Sequence, residues 1–130
     1  MIWMDRGLYV SPIKYALCIS EKKFKKELNR LKIKESSPFV RDNSNATVHY
    51  FQHTANNDEC CIICLKEDLN IELLQVYGLL VHEAVHIWQT VSEIIGENNT
   101  HEFEAYCIQR LSQNLFYAYE KLIKKRNNKK

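Results

Sequence analysis

Three observations predict an α+β fold. Short β-branched and aromatic runs fill the first half, helical apolar spacing fills the second, and turn residues separate them. The expected architecture is an N-terminal helix and an antiparallel β-hairpin or sheet packed on two long C-terminal helices. With 130 residues, 45% of them hydrophobic, the chain suits one compact domain with a real core. That domain is placed over residues 1–125, and 126–130 read as a basic tail.

Ile13 to Ile19 is rich in strand formers, and Ser20 offers a side-chain oxygen to cap a helix reaching about Ile33. Phe24, Leu28 and Leu31 supply its apolar stripe, and Lys22, Lys23, Lys25 and Lys26 form a solvated face. Ser36-Ser37-Pro38 ends that unit, and Asp42 to Asn45 is a polar loop. Thr47 to Thr54 and Cys60 to Leu65 flank Asn56-Asn57-Asp58 and read as a hairpin, with His49, Phe51 and His53 on one face. Asp68 is the expected cap of a helix over about Ile71 to Ile95, with Leu74, Tyr77, Val81, Ala84, Trp88, Val91 and Ile95 at helical spacing. Gly96 ends it, and Asn99 or Thr100 caps a last helix from His101 to about Lys124.

Net charge is only +2, so composition demands neither a nucleic-acid nor an acidic partner. The positive charge is local, with Lys121, Lys124, Lys125, Arg126, Lys129 and Lys130 gathered at one end. No run approaches the roughly 18 apolar residues of a membrane span, and the first residues lack a signal-peptide pattern, so a cytoplasmic protein is expected. Five cysteines, two of them adjacent, fit reduced thiols better than a disulfide framework. Cys61-Ile62-Ile63-Cys64 has the spacing of half a zinc knuckle but lies mid-strand with its thiols on opposite faces, so core packing is the better account.

The segment that carries chemistry is His82-Glu83-Ala84-Val85-His86. At about 100° per residue, helical positions four apart lie one above the other, so both imidazoles can point at one tetrahedral metal. Glu83 falls beside that metal, where it can deprotonate a water acidified by the ion. Three fixed positions also recur by chance, but here the flanks Leu79-Leu80-Val81 and Ile87-Trp88 are apolar, and a buried helix excludes such polar groups unless they are paired or bind metal. Zn2+ is the expected cofactor.

A catalytic zinc needs a third protein ligand and an open position. Ser92 stands where the metzincin pattern requires a histidine. Glu93 lies about 10 Å along the axis from His86, too far to share its ion. Glu97, His101, Glu102 and Glu104 remain, and a neighbouring helix must supply the group. If the motif helix runs straight to Ile95, His86 is about 13 Å from its end. In a tight hairpin Gln109 or Gln113 would then face His86 in place of Glu102.

His82-Glu83-x-x-His86 followed by Glu102-Phe103-Glu104-Ala105 resembles the gluzincins, zincin metallopeptidases in which a glutamate on the next helix completes the site. The run from Leu80 to Gln109 is similar to small metallopeptidase-like proteins encoded by phages and prophages. The likeness covers the second half of the chain closely and the first half loosely. It implies a small zincin-like domain with Glu102 as third ligand and Glu104 in reserve. The chain departs from the larger gluzincins at Tyr106, where they place an aspartate that orients the first histidine.

The function expected is a zinc hydrolase acting on a protein or peptide, with Glu83 as the base. An exposed strand of the hairpin would suit an extended peptide. His49, His53, Tyr77, His101 and Tyr106 are the possible oxyanion donors. One alternative is a binding protein that keeps a zincin scaffold and engages a host or virion protein. Another is a nucleic-acid-associated protein using the lysine-rich helix and tail.

Overall fold

The computed structural model describes residues 1–4, 13–34, 37–53, 58–96 and 101–129. In chain order its elements are β1 (Ile2–Met4), β2 (Ile13–Cys18), α1 (Glu21–Arg30), β3 (Ala46–His53), β4 (Asp58–Leu65), α2 (Leu73–Ile95) and α3 (His101–Asn127). The class is α+β, with a four-stranded sheet and three helices among the described residues. Contacts divide the chain into two compact units, one holding the sheet and α1, the other α2 and α3.

In the first unit the strand order is β1-β2-β4-β3, which leaves β3 at an edge. β3 and β4 pair antiparallel, with His49 opposite Ile62 and Tyr50 opposite Cys61. The tip of this hairpin, residues 54–57, lies outside the described residues. β2 joins β4 in parallel, with Ala16 opposite Ile62. β1 runs antiparallel to β2. Period-2 patterning identifies strands without choosing their partners, and β1 is too short to show a period at all.

Residues two apart share a face of a strand, so Ala16, Cys18, Cys60, Ile62 and Cys64 project to one side. There they join Phe24, Leu28 and Leu31 of α1, together with Phe39 and Phe51, in one core. Ser20 caps α1 by accepting the Lys23 N–H. The helix stops at Leu31, because Lys32 turns into the left-handed region at φ 57°. Lys22, Lys23, Lys25 and Lys26 are exposed, as a solvated face should be. Cys61 and Cys64 are buried on opposite faces of β4, which is a packing role and not a metal knuckle. Burial pushes the thiols of Cys18 and Cys64 up from their ordinary values.

The second unit is a helical hairpin. α2 is closed at its start by Gln75, whose side-chain oxygen accepts the Glu72 N–H at 2.9 Å, so Asp68 is not its cap. Val76, Leu80, Glu83, Ala84, Ile87, Trp88 and Val91 form the buried arc. Of the predicted stripe, Leu74 (78% exposed), Val81 and Ile95 lie outside that arc. The run from Leu79 to Trp88 is apolar on nearly every side, so several stripes fit it and periodicity alone does not select one. Gly96 ends α2 in the left-handed conformation, φ 68°, with its N–H turned back to Glu93 and Ser92.

Tyr77 packs against Phe116 and Tyr119, and Trp88 against Phe103, so α2 and α3 run antiparallel. Asn99 and Thr100, the expected caps of α3, lie outside the described residues. α3 itself continues to Asn127, which makes the start of the expected tail helical. No helix among the described residues is long and apolar enough to cross a membrane.

Candidate metal centre

His82, Glu83 and His86 all lie on α2, two turns inside its C-terminal end. One helical turn separates the two histidines, so their imidazoles stack along the same side. Their Nε2 atoms share a hydrogen bond at 3.1 Å, which a metal ion would have to replace, and both side chains are exposed. Two nitrogens bound at about 2.05 Å to a tetrahedral ion are separated by about 3.3 Å, so the pair is already close to that spacing.

Gln89, one turn further on, orients the second imidazole. His86 Nδ1–H donates to Gln89 Oε1 at 3.0 Å, which leaves the lone pair of His86 on Nε2. That nitrogen is the one facing His82, and a metal ligand needs its lone pair there. Sequence reasoning missed Gln89. The available signal was its position at i+3 from His86 on the same face.

Glu83 differs from its neighbours. It points into the buried arc and is only 6% exposed. Among the described residues no hydrogen bond reaches its carboxylate. Buried polar groups are nearly always paired, so an orphaned carboxylate beside two imidazoles calls for a functional explanation. Burial pushes the Glu83 carboxyl up from its ordinary value, against an opposing pull from His82 and His86.

The structure does not bring Glu102 or Glu104 to the histidines. Phe103 packs on Trp88, so the start of α3 lies beyond His86 toward the end of α2. Glu104 lines a cavity of about 370 Å³ with Val85, Trp88, Gln89, Ser92 and Glu93, and Glu102 is exposed. α2 stays helical to Ile95, about 13 Å past His86, and so the first turn of α3 cannot reach back. Among the described residues no group of three His, Cys, Asp or Glu is placed to hold a metal. Glu97 lies outside them. Gln109 and Gln113 are exposed, and His86 takes its partner from its own helix.

The other expected donors have structural roles or are solvent-facing. His49 is buried, with Nε2 3.0 Å from the Phe39 carbonyl and its ring stacked on Phe51. Tyr77 donates its hydroxyl to Glu120. His101 and Tyr106 are exposed, and the His53 side chain lies outside the described set.

No protein-family model, curated protein or solved structure matches the chain.

Proposed function

We propose that the chain is a zinc-dependent hydrolase whose substrate is a peptide bond, with His82 and His86 as two of the metal ligands and Glu83 as the general base; the third ligand that a catalytic zinc needs is not placed beside them among the described residues. The observation that carries this reading is the buried Glu83 carboxylate, without a hydrogen bond among the described residues, one residue from a pair of imidazoles whose Nε2 atoms are 3.1 Å apart. When bound, zinc would supply a Lewis acid that polarises the scissile carbonyl and acidifies water. The protein's own groups do the rest. His82 and His86 would hold the ion, and Gln89, by accepting the His86 Nδ1–H, keeps His86 in the tautomer that could do so. Glu83, made more basic by its dry surroundings, takes a proton from the attacking water and passes it to the leaving amine.

The experiment measures zinc content and cleavage of a mixed peptide pool in the wild type and in Glu83→Gln. One zinc per chain in both, with cleavage only in the wild type, is the expected result. Stoichiometric zinc without cleavage would assign the chain to the binding-protein alternative. Absence of stoichiometric zinc would overturn both.

A further inference from the structure

The solvent face of α3 carries a pattern unrelated to the histidine pair. Tyr106, Arg110, Gln113, Tyr117, Lys121 and Lys124 follow one another at four, three, four, four and three residues, so they align along one side of the helix. All six are exposed. Tyr106 and Tyr117 leave 55% and 59% of their surface in water, about 16 Å apart along the axis. Lys121 lies over the Tyr117 ring, with Nζ 5.5 Å from its centroid.

Cations predominate toward the C-terminal end of this helix, while Glu102 and Glu120 lie along the edge of the same face. Between Tyr106 and Lys129 the sequence has Arg110, Lys121, Lys124, Lys125, Arg126 and Lys129 against one carboxylate, Glu120, which already accepts the Tyr77 hydroxyl. Arg110, Lys124 and Lys125 form no ion pair among the described residues. An excess of cations at the end of the helix fits a polyanion, and the aromatic rings decide which one. A membrane-surface helix needs a continuous stripe of leucine, isoleucine or phenylalanine, and this face has none. Flat rings spaced between cations match a strand whose bases are unpaired and can stack.

We infer that this face of α3 docks single-stranded nucleic acid. Tyr106 and Tyr117 are the stacking platforms, and Arg110, Lys121 and Lys124 meet the phosphates. The inference goes beyond the hydrolase reading and does not depend on it.

The test is fluorescence anisotropy of a labelled oligothymidylate with the full chain. Competitors are a blunt DNA duplex and vesicles of phosphatidylserine and phosphatidylcholine. Binding should weaken as salt rises, and single strands should compete better than duplex or vesicles. Tyr106→Ala and Tyr117→Ala should each weaken binding about five-fold or more, with helix content by circular dichroism unchanged. Arg110→Glu with Lys124→Glu should lower affinity and flatten the salt dependence. No binding at low salt, equal competition by duplex or vesicles, or unchanged affinity in the folded tyrosine variants would overturn the inference.

Discussion

Trp88 meets Phe103 nearly edge-on, with ring centroids 5.6 Å apart, and this contact fixes where α3 begins beside α2. It sets the first turn of α3 against the last turns of α2 and keeps Glu102 away from the histidines. Of the proposed ligands, His82 and His86 therefore stand together without Glu102, and the hydrogen-bond partner of His86 comes from its own helix.

Zinc affinity should follow that geometry. His82→Ala or His86→Ala should lower it by more than about 100-fold, and Gln89→Ala by about ten-fold. Glu102→Gln should leave it unchanged. Competition with a chromogenic chelator measures all four. A large loss in Glu102→Gln would mean that α3 shifts when the ion binds.

The orphaned Glu83 carboxylate should make the metal-free protein less stable than it need be. A buried polar group without a partner costs about 1–3 kcal/mol, so Glu83→Met should stabilise the chelator-treated protein by roughly that amount. The same variant should keep zinc and lose hydrolysis. Urea denaturation with and without chelator separates the two effects, and a destabilised Glu83→Met would show that the carboxylate has a partner in solution.

Acid should loosen the first unit through Glu27. Its carboxylate accepts from Arg30 and from Trp3 Nε1, and these hydrogen bonds hold it below the ordinary carboxylate range. A depressed carboxylate contributes stability above its unfolded pKa and loses it as pH falls through the folded one. The thermal midpoint of the wild type should therefore drop as pH falls from the ordinary glutamate value downward. Glu27→Gln should lack that part of the decline and be less stable at neutral pH by about 1 kcal/mol. Parallel melting curves across that range are the measurement.

The two described glycines should respond oppositely to alanine. Gly78 sits inside α2 with open space where a Cβ would go, so Gly78→Ala should add about 0.5–1 kcal/mol. Gly96 also has open space, but its φ of 68° disfavours any L side chain, so Gly96→Ala should cost about 1 kcal/mol. Chemical denaturation of the pair checks the sign of each.

What the sequence revealed depends on how local the cause is. Ser20 capping α1, Gly96 closing α2 and the His82–His86 alignment arise within one or two turns, and each was legible. The buried arc of α2 was half legible, because Ala84, Trp88 and Val91 fit it while Leu80 and Ile87 turn it away from Leu74 and Val81. The parallel partnership of β2 with β4 was not legible, since nothing in either strand's alternation selects a partner. The third-ligand expectation failed to find its place for a related reason. It depends on how far α3 slides along α2, which Trp88 and Phe103 decide through packing and not through spacing.

That parallel ladder also bears on how the molecule acquires its order. Ala16 must find Ile62 across an intervening helix and strand, whereas the partners Trp88 and Phe103 are joined by a single short connection. Closing the longer loop loses more chain entropy before any contact repays it, so the sheet's central ladder should close later than the helical hairpin. Nature has left one indole in each unit, Trp3 on β1 and Trp88 on α2, and these two fluorophores can time the two events separately.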